Sequence, residues 1–179
     1  MCSMTSQSQL KVLFTRDEIR GAVERLAAEI RRDYRDENPL LVGVLKGSFV
    51  FMADLVRLLD LPLEIEFVRL SSYGRRRESS GVVRVVQGIR AVVKGRDVLV
   101  VEDIVDSGTT LDFFLRYLRR RNPSSLKVCA LFDKSSRRQV PAPIDYRGLT
   151  VPDRFVVGYG LDWDEKYRYL PDLCILEEG

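Results

Sequence analysis

Residues 98–111 read Val98-Leu99-Val100-Val101-Glu102-Asp103-Ile104-Val105-Asp106-Ser107-Gly108-Thr109-Thr110-Leu111. The first four are apolar without alternation, and such a run predicts a strand buried on both faces, as in the middle of a parallel sheet. A polar turn through Asp106-Ser107-Gly108 then opens a helix expected over 109–121, which Asn122-Pro123 closes. A buried strand that passes into a helix through a short turn is half of a βαβ unit.

The same unit recurs on both sides of this stretch. Residues 40–45 (Leu-Leu-Val-Gly-Val-Leu) form a second continuous apolar run, followed by a helix expected over 48–60, and residues 127–132 form a third. Upstream, Thr15 and Glu18 make a capping box, and Ile19, Ala22, Val23, Leu26 and Ile30 recur at helical spacing, so a helix runs to about Tyr34 before Asn38-Pro39 stops it. Residues 63–70 alternate as a strand, and 71–80 read as a polar, Arg-rich loop. Residues 82–86 and 91–93 are β-prone pieces around Gly88. Residues 135–154, with Pro141, Pro143 and Pro152, read as an irregular connection, and short strands are expected at 155–159 and 173–176. The first ten residues or so read as a loose tail. Strands alternating with helices predict an α/β fold with a parallel sheet covered by helices, organised as a single domain over 1–179.

Composition narrows the chemistry. The 29 Lys and Arg against 26 Asp and Glu leave a net charge of only +3, too small for a dedicated polyanion coat, although most of the cations are arginines. No window approaches the ~18 apolar residues of a membrane span, and the polar start lacks a signal pattern, so a cytoplasmic protein is expected. Cys2, Cys129 and Cys174 are far apart and form no CxxC pair, which leaves them as ordinary reduced thiols. The sequence contains no histidine at all. Ser-His-Asp hydrolysis, Cys-His proteolysis, HExxH zinc sites and imidazole bases are thereby excluded, and any proton transfer falls to a carboxylate, Lys, Tyr or Cys.

In an open α/β sheet the ligand sits beyond the carboxyl ends of the strands. Four such ends carry polar residues: Lys46-Gly47, the stretch 102–110, Asp133-Lys134, and residues 158–162. Ser107, Gly108, Thr109 and Thr110 place backbone N–H groups and hydroxyls at a helix start, which suits a phosphate. The carboxylates of Glu102, Asp103 and Asp106 stand directly before them. Beside a phosphate they need sugar hydroxyls to accept from, or a Mg²⁺ that neutralises them, so the pattern fits a ribose 5-phosphate with Mg²⁺ nearby. The competing reading makes Asp106 or Ser107 a plain helix cap. There is no GxxxxGK[ST] and no strand-linked GxGxxG, so triphosphate hydrolysis and dinucleotide binding lose their support.

Residues 98–111 (VLVVEDIVDSGTTL) resemble the phosphoribosyl-pyrophosphate motif of type I phosphoribosyltransferases. VLKGS at 44–48, RLSSYG at 69–74, Phe132-Asp133-Lys134 and FVVGYGLDWDEKYRYLP at 155–171 are similar to the hypoxanthine-guanine branch of that family, and the likeness runs over roughly residues 40–178. It implies a parallel sheet flanked by helices, with a small hood built from the chain termini. It also implies Mg²⁺-dependent transfer of phosphoribosyl from phosphoribosyl pyrophosphate (PRPP) to a 6-oxopurine, giving IMP or GMP, by a homodimer or homotetramer.

Residue by residue, the resemblance places Glu102 and Asp103 at the ribose hydroxyls, directly or through Mg²⁺, and Asp106, Ser107, Gly108, Thr109 and Thr110 around the 5-phosphate. Asp106 would be the general acid/base near purine N7. Lys134 would donate to the 6-oxo group, Phe155 would stack on the base, Val156 would meet its edge through backbone groups, and Asp162 would reach its 2-position side and a Mg²⁺-bound water. Lys46, Gly47 and Arg168 would bind pyrophosphate, with a non-proline cis peptide often found at that step. Ser72 and Tyr73 match the loop that closes over the reaction, where excluding water protects an oxocarbenium-like centre. Ser48-Phe49, Ser107-Gly108-Thr109, Gly160 and Trp163 depart from the commonest family residues. A second reading keeps the fold but makes the chain an RNA-binding regulator similar to the pyrimidine attenuation proteins; Lys134 and residues 155–168 argue against it, and no nucleic acid is expected.

Overall fold

The computed structural model describes residues 9–73 and 82–177. Its main sheet has six strands in the order β4-β3-β2-β5-β6-β7. These are β2 (Leu40–Leu45), β3 (Glu64–Tyr73), β4 (Val82–Gln87), β5 (Asp97–Val105), β6 (Ser125–Asp133) and β7 (Tyr146–Thr150). All neighbours in it are parallel except β3 and β4. The helices are α1 (Arg16–Asp33), α2 (Phe49–Leu59) and α3 (Thr109–Arg119). The units β2-α2-β3 and β5-α3-β6 each join adjacent parallel strands, as the alternation of apolar runs predicts.

The continuous apolar runs are explained by the two faces they serve. Leu41, Leu99, Val101, Cys129 and Leu131 point to the side covered by α1 and α2, where Ile19, Leu26, Phe51 and Leu55 meet them. Their neighbours Leu40, Val42, Val98, Val100, Val128 and Ala130 point the other way, onto Leu111, Phe114, Leu115 and Leu118 of α3. A fully buried Leu or Phe contributes roughly 1.5–3 kcal/mol relative to exposure, so alternation would have cost one face its core. The capping box forms as expected: the backbone N–H of Glu18 donates to Thr15 Oγ1, and Thr15 N–H donates to Glu18 Oε2 at 2.8 Å.

A second, antiparallel sheet in the order β1-β9-β8 is made from both ends of the described chain: β1 (Gln9–Phe14), β8 (Val156–Val157) and β9 (Leu173–Glu177). This is the hood, and β1 corrects the tail reading at residues 9 and 10. The short run is largely exposed and carries no local strand pattern; pairing with β9 makes it a strand. Residues 71–73 are the end of β3 rather than loop, held by pairing with β4, while the rest of that expected loop lies outside the described residues, as does Cys2. Residues 91–93 are not a strand; Val93 packs into the α3-side core, and Ala91 N–H donates to Glu66 Oε1 at 3.0 Å. Within the expected irregular connection, β7 adds a parallel edge strand to β6 despite the flanking prolines. Cys129 and Cys174 are buried free thiols. No helix of the described residues is long and apolar enough to cross a membrane.

Candidate active site

Most of the candidate side chains stand at the carboxyl ends of β2, β5 and β6, at the start of α3, or on the hood turn beside them. Strand β5 runs three residues past Glu102, so Glu102 and Asp103 are strand residues, buried at 6% and 8% exposure, rather than loop residues. Burial pushes Glu102 well above the usual carboxylate range, and the neighbouring Asp103 charge adds to it. Asp103 is pushed up to about 6 by burial, offset in part by backbone N–H groups and by the charge of Arg168. Two adjacent buried oxygen donors with raised pKa values are short of a positive partner, and hard carboxylate oxygens are what a Mg²⁺ ion takes. Among the described residues no group of three or more ligating side chains is assembled.

The phosphate loop follows. Gly108 is the N-cap of α3 at φ +85° and brings no side chain to cap it; Ser107 Oγ accepts from Thr109 N–H at 3.4 Å, so the cap reading is met by one long bond from Ser107. The positive φ and the crowding by Val140 O at 2.9 Å from where a Cβ would stand both demand glycine there. Ser107 Oγ donates to Thr109 Oγ1 at 3.2 Å, and a cavity of about 170 Å³ lined by Glu102, Asp106, Ser107, Gly108 and Thr110 opens above the helix start. A helix start that faces a small polar hollow suits an anion.

Asp106 and Lys134 meet across the ends of β5 and β6, with Lys134 Nζ 3.9 Å from Asp106 Oδ2 and Arg137 Nε 3.6 Å from Oδ1. Asp106 Oδ1 is buried without a hydrogen-bond partner. Lys134 is only 5% exposed, against the expectation for a surface lysine, and burial lowers its pKa while Asp106 opposes the shift. Its backbone N–H donates to Val105 O at 3.0 Å, which fixes the two strand ends together. Arg138, which sequence reasoning passed over, binds the buried Asp133 carboxylate and donates to Asp106 O at 2.9 Å. No periodicity or motif marks it; only the turn after β6 brings it there.

The hood supplies the remaining groups. Phe155 precedes β8 and is 44% exposed, edge-on to Trp163 at 4.7 Å between ring centroids, whereas Val156 is buried. An exposed aromatic pair at the mouth of a site offers a face for a flat ligand. Arg168 donates to Gly160 O at 2.7 Å and pairs with Asp162 Oδ1 at 2.7 Å. Asp162 Oδ2 in turn accepts from Glu165 N–H at 2.9 Å. Lys46 follows a cis peptide at Leu45-Lys46, one bond before the step the resemblance points to, and its ammonium meets Glu165 at 2.8 Å. Gly47 lies directly against the Asp103 carboxylate. The Ser72 and Tyr73 side chains lie outside the described residues, so the closing-loop reading stays an expectation. A wider cleft of about 1070 Å³ lies away from the phosphate loop, between α1, α2 and residues 168–171, and touches the site only through Arg168.

A family model for the phosphoribosyl transferase domain matches residues 13–164. The chain belongs to the phosphoribosyltransferase family. Among curated family members, it is 47% identical to a hypoxanthine-guanine phosphoribosyltransferase of Dictyostelium discoideum, covering 94% of this chain and 96% of the relative. It is 46% identical to the enzyme of that name from Bacillus subtilis, covering 93% of each. A solved hypoxanthine phosphoribosyltransferase from Staphylococcus aureus superimposes with a TM-score of 0.89 at 40% identity, covering 93% of this chain and 91% of that one. The family sheet and hood of that phosphoribosyltransferase are the architecture described above.

Proposed function

We propose that this phosphoribosyltransferase works in purine salvage. It transfers the 5-phosphoribosyl group of PRPP to N9 of hypoxanthine or guanine, giving IMP or GMP and pyrophosphate. The observation that carries this is Lys134, a buried donor-only group at the end of β6, facing Asp106. In the reaction the C1–pyrophosphate bond breaks, the C1–N9 bond forms, and the purine proton leaves to Asp106, whose Oδ1 lacks a partner in the free site. The start of α3, with Ser107, Gly108, Thr109 and Thr110, holds the 5-phosphate. Lys46, Gly47 and Arg168 hold pyrophosphate, while Phe155, Val156 and Asp162 frame the base. Glu102 and Asp103 would face the ribose hydroxyls and, together with Asp162, would hold Mg²⁺. A bound Mg²⁺ supplies charge neutralisation for the departing pyrophosphate. We place the enzyme in the cytoplasm as a homodimer or homotetramer. The RNA-binding alternative is not favoured, since the curated relatives are purine enzymes.

Substrate class is the first test. An ammonium can donate to a 6-oxo group and cannot accept from a 6-amino group. Turnover of hypoxanthine or guanine is expected to exceed that of adenine by at least ~10²-fold in kcat/KM, because leaving buried polar groups mispaired costs a few kcal/mol. Comparable values for adenine would remove Lys134 from this role.

A second test separates stability from binding. Replacing both Glu102 by Gln and Asp103 by Asn keeps shape and removes charge that burial disfavours. PRPP binding with Mg²⁺ is expected to weaken more than free-base binding, while the melting temperature rises at pH 8. The sign follows from the raised carboxylate pKa values. In the wild type the ionisation penalty is absent below the ordinary pKa of 3.8, grows as pH rises, and is complete for Asp103 above about 6. The gain in melting temperature should therefore shrink as pH is lowered through 6. Calorimetry with Mg²⁺-PRPP that shows unchanged affinity rejects the assignment.

A further inference from the structure

Glu165 occupies both cations that the proposed reading gives to pyrophosphate. Its Oε1 lies 2.8 Å from Lys46 Nζ and its Oε2 3.5 Å from an Arg168 guanidinium nitrogen. The same guanidinium nitrogen pairs with Asp162. Each of these cations is thus already paired with a carboxylate, although the proposed ligand is an anion. The turn that presents Glu165 is a built structure. Trp163 and Lys166 bridge across it, Asp162 receives the Glu165 N–H, and Asp164, Glu165 and Tyr167 take φ values of +52°, +62° and +73°. Non-glycine residues adopt that region at a cost, which the surrounding contacts must sustain. Glu165 is held ionised by the Lys46 hydrogen bond.

We propose that Glu165 is an internal stand-in for pyrophosphate, which must leave Lys46 and Arg168 before PRPP can bind and which returns as the product departs. The inference rests on reading Lys46 and Arg168 as the pyrophosphate cations. A stand-in has to be displaceable, and this one is. Lys46 is 48% exposed and Glu165 65%, a class of ion pair that holds weakly, whereas pyrophosphate offers more charge and several acceptors to the same donors. The competitor lowers affinity for substrate and product alike, which favours release of pyrophosphate after transfer.

The test is calorimetric titration of wild type, Glu165→Gln and Glu165→Ala with sodium pyrophosphate and Mg²⁺, beside KM values for PRPP and hypoxanthine. Both variants should bind pyrophosphate about three- to tenfold tighter, with the KM for PRPP falling in step and that for hypoxanthine unmoved. Unchanged or weaker pyrophosphate binding in both overturns the proposal. Arg168→Gln serves as the control. If it fails to weaken pyrophosphate binding, the assignment of the cations falls and takes the inference with it. If it weakens binding while the Glu165 variants do not tighten it, only the stand-in role is wrong.

Discussion

Asp106→Asn is expected to lower kcat for IMP formation by about 10²–10⁴-fold, the usual cost of losing a general acid/base, with a melting temperature close to the wild type. A helix cap behaves the opposite way, costing ~1 kcal/mol of stability and little catalysis. Gly108, not Asp106, stands at the N-cap of α3. Asn keeps the shape of the side chain and its backbone carbonyl remains available to Arg138. What disappears is the charge facing Lys134 at 3.9 Å and Arg137 at 3.6 Å. The buried Lys134 ammonium then loses the neighbour that opposes its desolvation, which adds to the loss at the base-binding end. Steady-state kinetics beside thermal melting decides the matter. A near-normal kcat with a lowered melting point would make Asp106 structural and pass the proton to another group or to solvent.

Gly47→Ala is expected to lower kcat/KM with PRPP by ~10²-fold or more. A Cβ at residue 47 would stand 1.5 Å from Asp103 Oδ2 and 2.6 Å from its Cγ. Gly160, itself at φ +95°, lies close on the other side, where a Cβ built on it would stand 2.5 Å from Gly47 O. The hood turn and β5 therefore clamp Gly47 between them, and the added methyl must drive the Asp103 carboxylate from its place. Displacement of a positioned group by about 1 Å costs on the order of 10²-fold, and overpacking takes a further ~1–3 kcal/mol of stability. Gly43→Ala is the useful contrast, since its Cβ would press on the Phe67 ring at 2.8 Å and on Met52 rather than on a site carboxylate. That variant should lose stability and keep its kcat/KM. Equal kinetic losses in both would show that general destabilisation, not the position of Asp103, explains the result.

How far the site is legible in the sequence depends on whether a residue's role is set by its neighbours along the chain. The phosphate loop reads directly, because a buried strand, a glycine and hydroxyl residues at a helix start are contiguous, and the geometry they require is local. Lys134 and Phe155 do not read that way. As bare sequence, one is an ordinary lysine and the other a core strand residue, and only the resemblance assigns them; in the structure the lysine is buried and the phenylalanine exposed. The pairings of Glu165 and Arg138 carry no local signal, since the partners of the first lie just after β2 and on the hood, and those of the second at the ends of two different strands.

By itself the sequence determined the α/β class, the three continuous apolar strands of the sheet core, the capping box that starts α1, the exclusion of histidine chemistry, and the carboxylate and hydroxyl sets at the carboxyl end of β5 and the turn beyond it. All of these follow from periodicity, capping and composition, which act over a few residues. Tertiary structure alone decided that residues 9–14 and 146–150 are strands, because each becomes one by backbone pairing with a segment remote in sequence, β9 for the first and β6 for the second. It also decided which cations face which carboxylates. Ion pairs and buried pKa values depend on distance and desolvation, and those are set only when strand ends separated by scores of residues are brought to one edge of the sheet.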